Sequence, residues 1–286
     1  MPPLTTFAPA LFVLLWSTGF IGAKLGLPYA EPFTFLALRF SILAAILTLA
    51  AIIMKAEWPK SPQEAGRTAL TGVLVQGCYL GGVFAAISLG VPAGISALIV
   101  GAQPLLTAIA AGPFLGERIT SRQWIGFVIG FTGLVLVVER KLSWNPDHIN
   151  GVLLCLVALL GITAGTLYQK RHGQAMDMRS GSAIQFAAAA IPMLVLALAF
   201  ESMEIQWTGE FVFALSWLVL ILSLGAMTVL YYLIRKGAAS KVASLFYLVP
   251  PVVALEAYFL FGETLGPLAL AGMALTVVGV ALVTKS

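Results

Sequence analysis

Charge is what this sequence has least of: only 10% of its 286 residues are Asp, Glu, Lys or Arg, while 60% are hydrophobic. A water-soluble domain carries about 25% charged residues, so water cannot be the main solvent of this chain. Histidine and cysteine are equally scarce, with two of each. Cys78 and Cys155 both sit in apolar runs, where cysteine acts as a small hydrophobe, and no disulfide framework is expected. His148 and His172 fall in expected loops. No Walker A loop, His-Glu-x-x-His or Gly-x-Ser-x-Gly run is present, which speaks against an enzyme, an ATPase, a metal or a cofactor. The formal charge of +4 comes without a basic stripe or a module of stacking aromatics, so nucleic acid is not an expected partner. No basic segment and cleavage site follow Met1, and the first apolar run is expected to be retained.

What the chain has is long apolar runs, with 28 glycines and 15 prolines that membrane helices tolerate because neighbouring segments re-satisfy the freed backbone groups. A bilayer core about 30 Å thick needs roughly 20 apolar residues per helix. Ten such runs are expected, at 8–27, 33–54, 68–89, 93–113, 123–139, 149–169, 181–200, 211–234, 241–261 and 267–284. With a cytoplasmic amino terminus, 12 of the 16 Lys and Arg residues fall in cytoplasmic connections and only Arg140 and Lys141 in opposite ones. That asymmetry places both termini of a multi-pass membrane protein in the cytoplasm, and a cell inner membrane is the expected location.

Sliding the chain along itself by 146 positions lays Gly19 on Gly165, Lys24 on Lys170, Phe40 on Phe186, Pro104 on Pro250, Gly126 on Gly272 and Gly133 on Gly279. Coincidence would not concentrate on residues whose roles are geometric. Residues 1–140 and 147–286 therefore read as two five-helix repeats. Five is odd, so the second copy enters the membrane from the opposite side. Such inverted repeats characterise secondary transporters, whose solute site lies near the midplane at the repeat interface.

The stretches from Pro104 through Leu-Gly-Glu-Arg at 115–118 and from Pro250 through Phe-Gly-Glu-Thr at 261–264, each followed by a glycine-spaced helix, resemble the drug/metabolite transporter superfamily in its ten-helix EamA form. The resemblance covers the whole chain and is nearest to the YddG-type exporters of aromatic and other neutral amino acids. It implies that helices 3, 4, 8 and 9, with parts of 1 and 6, surround a central cavity while 5 and 10 stand outside it.

Polar residues at membrane depth are the candidate solute contacts, because an amide facing lipid forfeits its hydrogen bonds. Gln76 and Tyr79 on helix 3, Gln103 on helix 4, Tyr247 on helix 9 and Trp16 on helix 1 are the cavity candidates; Gln76, Tyr79 and Gln103 could equally serve as interhelical glue. Lys24, Arg39 and Glu256 are ionisable and expected in the outer halves of their helices, as charges of an outer vestibule. Lys24, matched by Lys170, also fits a helix-end residue that snorkels. Pro104 and Pro250 lie at equivalent places and are expected to kink helices 4 and 9 as hinges of a gate, or to shape static packing. The spacing Gly126-x-x-x-Gly130 reads as close helix packing, with dimerisation as the other use, and the chain is expected to be a monomer or a weak homodimer.

These expectations describe an all-α membrane carrier of a small neutral solute, an amino acid before other metabolites. It would be driven by a gradient or by the solute itself. Nucleotide sugars or phosphorylated solutes would demand central Lys or Arg. A non-transporting scaffold or a channel is the reading from a different class. A scaffold would lack polar residues at the midplane, and a channel would offer rings of charge or a carbonyl filter.

Overall fold

A computed structural model describes residues 4–91, 93–116, 119–138, 146–173, 176–236, 242, 245–261 and 266–284. Among these the chain is helical, with an isolated antiparallel bridge between Ala30 and Ile205 and no longer strand. The helices in order are α1 (Leu4–Gly26), α2 (Pro32–Ile53), α3 (Pro62–Ser88), α4 (Ala93–Gly101 and Gln103–Leu115) and α5 (Ser121–Val138). The second copy supplies α6 (Pro146–His172), α7 (Met178–Phe200), α8 (209–236), α9 (a 3₁₀ turn Phe246–Leu248 leading into Val249–Phe261) and α10 (Pro267–Thr284). Six of them carry spans long and apolar enough to cross a bilayer, and α4, α9 and α10 hold shorter apolar cores. Among the described residues these helices make an all-α membrane protein.

The ends of several helices extend past the apolar runs. Ser61 caps α3 by accepting from the Glu64 N–H at 3.2 Å, while the Glu64 carboxylate accepts from the Lys60 N–H at 2.9 Å. The polar turn from Pro62 is helical for that reason, with proline where its missing N–H costs nothing. His148 and His172, expected in loops, belong instead to the first and last turns of α6. Lys170, Arg171 and His172 lie in its last turn, where the two cations Lys170 and Arg171 meet the unpaired carbonyls of a helix end.

The chain divides into two compact units, one of residues 23–90 and 147–219, the other of residues 1–22, 91–146 and 220–286. In the first, α2 packs principally against α7, its counterpart in the other copy. The two run antiparallel with their ends tied. Glu201, at the end of α7, accepts from the backbone N–H groups of Phe33 (2.7 Å) and Thr34 (2.6 Å) and from the Thr34 hydroxyl (2.7 Å). This puts a carboxylate on the unsatisfied donors of the α2 N-terminus. At the other end Arg179 donates to the Met54 carbonyl at 3.2 Å, and the Ser180 hydroxyl donates to the Glu57 carbonyl. Midway, the rings of Phe40 and Phe186 lie 5.8 Å apart.

Glycines bring α3 and α6 together in the same unit. A methyl group added at Gly161 would stand 2.7 Å from the Cys78 Cβ, and one at Gly82 would stand 2.5 Å from the Leu154 carbonyl oxygen. In the second unit α5 packs principally against α10, again its counterpart. Added methyls would stand 2.8 Å from the Gly279 oxygen at Gly126, and 2.5 Å from the Gly272 oxygen at Gly133. Since Gly126 and Gly272 are equivalent, as are Gly133 and Gly279, the same contact is made twice, once in each sense. The glycine spacing on α5 is thus used inside the chain.

Candidate solute-contacting site

α3 and α8 share a feature that composition does not announce. Val73–Cys78 in α3 and Trp217–Ala226 in α8 are π-helical, and a shift of 146 lays the first segment inside the second. A π turn carries an extra residue per turn and commonly marks a functional position, because it re-aims side chains from an otherwise regular helix. Gln76 lies inside the α3 segment and Tyr79 follows it directly. Their side chains are 3% exposed in each case, and among the described residues the Gln76 Nε2 amide has no hydrogen-bond partner.

Arg39, on α2 of this unit, is 2% exposed. Its guanidinium lies 5.9 Å from the centre of the Phe40 ring. It is more deeply enclosed than an outer-vestibule position implied. Lys24 is exposed in the last turn of α1, and Lys170 occupies the equivalent turn of α6.

The second unit holds the remaining candidates. Trp16 forms an aromatic group with Phe12 and Phe246, with ring centres 5.1 to 5.2 Å apart. Tyr247 is fully buried beside Gly130, with Phe127 edge-on at 6.3 Å, and its hydroxyl has no partner among the described residues. Gln103 is 1% exposed, and so is Thr107 one turn further along α4, which the sequence reading missed; the Thr107 hydroxyl is likewise without a partner there. A spacing of four on one helix face was the available signal.

Pro104 and Pro250 are buried, but neither kinks a continuous helix from its middle. α4 is already interrupted at Ala102, and Pro104 is the second residue of the new segment. Pro250 is likewise second in the α-helical part of α9, after the 3₁₀ turn. A proline there gives up no helical hydrogen bond. Glu256 is half-buried on α9, where its Oε1 lies 2.6 Å from the Ser17 hydroxyl of α1.

Beyond the spans, the Ser202 hydroxyl and N–H hold the Glu31 carboxyl below the usual carboxylate range. Hydrogen bonds from Arg179 hold Asp177, the N-cap of α7, at about 2. No cluster of three or more His, Cys, Asp or Glu side chains suited to a metal occurs among the described residues.

Long apolar helices that enclose polar side chains are those of a multi-pass membrane protein. The profile of the EamA-like transporter family matches residues 6–139 and again 149–285. A Bacillus subtilis protein described as the uncharacterized transporter YvbV is 30% identical over 99% of this chain and 92% of its own length. The Escherichia coli K12 inner membrane transporter YedA is 28% identical, covering 96% and 89%. A Salmonella typhimurium protein described as a probable amino-acid metabolite efflux pump is 27% identical, covering 96% and 92%. One crystal structure matches the fold with a TM-score of 0.81 at 19% identity, over 98% of this chain and 96% of that one. The chain belongs to the EamA-like transporter family. It is a transporter and not an enzyme.

Proposed function

We propose that the protein exports small neutral amino acids, aromatic ones included, across the inner membrane by alternating access, with both termini in the cytoplasm. The observation that carries this reading is the chemistry of the buried groups at membrane depth. In one unit the Gln76 amide donor, and in the other the Tyr247 and Thr107 hydroxyls, are each enclosed, uncharged and without partners among the described residues. Leaving such a group unsatisfied costs about 1–3 kcal/mol, a cost a solute bearing hydrogen-bonding groups removes. Trp16, Phe12 and Phe246 add an aromatic surface suited to an apolar side chain. The description of the Salmonella relative as a probable amino-acid metabolite efflux pump supports the same class. The interruptions ahead of Pro104 and Pro250 are the proposed hinges, because a segment restarting after a break can swing without straining a hydrogen-bond ladder.

A second reading, an anionic metabolite, is favoured by the buried guanidinium of Arg39. Counterflow into liposomes across a panel of amino acids, nucleotide sugars and organic cations separates the two. Exchange of neutral amino acids supports the first, and exchange confined to anionic solutes replaces it with the second.

A further inference from the structure

Ser17 is fully buried on α1, and its oxygen has two short neighbours. The Leu14 carbonyl lies 2.8 Å away and the Glu256 Oε1 2.6 Å away. A hydroxyl has one proton to donate, and a carbonyl can only accept. Both contacts can therefore be hydrogen bonds at once only if Ser17 donates to Leu14 and Glu256 donates to Ser17. In that arrangement Glu256 is a carboxylic acid. If Glu256 is ionised, the Ser17 hydroxyl turns to it, and the Leu14 contact is given up. The second carboxyl oxygen, Oε2, is buried without a partner among the described residues, a costly position for half of a full negative charge.

The groups around this pair leave the proton as its ligand. The segment Ala93–Gly101 of α4, packed against α9, contains no ionisable side chain; α5 brings Arg122 in its first turn; and α9 itself carries Tyr247 in its opening 3₁₀ turn and Tyr258 further along. On α1, residues 7–22 contain no charge, and Lys24 stands in the last turn, two turns beyond Ser17. Among the described residues Glu256 is recorded in no ion pair, and its hydroxyl partner accepts either state by rotation.

We propose that Glu256 and Ser17 form a proton-binding site within the membrane-spanning part of the protein. A proton taken from water forms an O–H bond on Glu256 Oε1, which then donates to the Ser17 oxygen, while the Ser17 hydroxyl keeps its own proton and turns its hydrogen bond from Glu256 to the Leu14 carbonyl. Release reverses both changes and returns the proton to water. The coupling step below rests on the transport reading, because a site that takes up and releases one proton in step with a carrier cycle couples solute movement to the proton gradient.

Infrared difference spectra of the purified protein across a pH titration test the site without any solute. A protonated-carboxyl C=O band should fade as pH rises, be absent in Glu256→Gln, and shift to higher frequency in Ser17→Ala, which cannot hydrogen-bond it. Monodisperse elution of each variant controls for folding. No such band in the wild type, or an unaltered band in Glu256→Gln, overturns the proposal. In liposomes, an amino acid that shows counterflow should accumulate about tenfold for one unit of pH difference at one proton per solute. In Glu256→Gln the ratio of accumulation with and without the gradient should fall to one. Gradient-independent accumulation by the wild type overturns the coupling. Absence of counterflow for every amino acid instead removes the substrate assignment, while the infrared titration still decides the site.

Discussion

Phe40 and Phe186 pack on each other as tilted rings, with centres 5.8 Å apart and planes at 47°, and they are the same position of the two sequence copies. A residue can touch its own equivalent only where a local two-fold axis passes between them, so this pair marks the axis of the α2–α7 contact. The glycine contacts of α5 with α10, each made in both senses, mark the same kind of axis in the other unit. The isologous logic of a symmetric dimer is thereby built into one chain.

Because both rings are buried in one contact, replacing either by alanine should destabilise the protein by about 3 kcal/mol or more. The two losses should not add. Once one ring is gone, the second truncation enlarges a cavity already present, and the double variant should fall short of the sum by about 1 kcal/mol. Unfolding of the four proteins in one detergent measures this coupling.

Glycine positions should divide sharply by what an added methyl would meet. At Gly126 it meets the Gly279 backbone oxygen and Val283, and at Gly133 the Gly272 oxygen and the Thr276 nitrogen. Gly126→Val and Gly133→Val should separate α5 from α10 and lower the unfolding temperature markedly. At Gly66, exposed in the first half of α3, nothing lies within 4 Å. Gly66→Ala should leave the temperature unchanged or raise it, consistent with a gain of about 0.5–1 kcal/mol in a helix.

Asp177 caps α7 and holds Arg179 at 2.6 Å. Its carboxyl is lowered to about 2 in the folded protein from an ordinary value of 3.8. A lowered carboxyl contributes stability at neutral pH that is lost as pH falls through the interval between those values. Solvent screens this pair, so the ionic part is small. Asp177→Ala should cost about 1 kcal/mol at neutral pH. Asp177→Asn, which keeps a capping oxygen, should cost less and should remove the part of the acid destabilisation that belongs to this residue. Melting curves between neutral pH and about pH 3 test both variants.

Gln76→Leu offers a separation of function from stability. The amide nitrogen it removes is buried and without a partner among the described residues, so the folded protein should be as stable or more so. Transport of a neutral amino acid should nonetheless fall several-fold, with weaker apparent affinity. A variant that loses stability and keeps its transport would assign Gln76 to packing.

The spans were legible in the sequence because a bilayer imposes one length and one polarity on every crossing segment, and the repeat because Gly and Pro keep their geometric roles at a fixed offset. The depth of Arg39 was not legible, since hydropathy locates a residue along a helix and not around it. Nor were the π segments at 73–78 and 217–226, whose register change leaves no compositional trace. Gly161-x-x-x-Gly165 on α6 has the same spacing as Gly126-x-x-x-Gly130 and was passed over, although both of its glycines press on α3. Ser17 and Glu256 are 239 positions apart, and no pattern along the chain links them. Pro104 and Pro250 were read as interior kinks because the breaks just before them fall in uninterrupted apolar runs.

The pairing of α5 with α10 also sets a condition on biosynthesis. The Gly126 and Gly133 face of α5 is inserted before the surface that covers it, on α10, has been made. During the synthesis of α6 through α10 that small-residue stripe stands open in the bilayer. A chain that stalls before Pro267 keeps it open, offering neighbouring membrane helices a ready docking face and membrane quality control a mark of incompleteness.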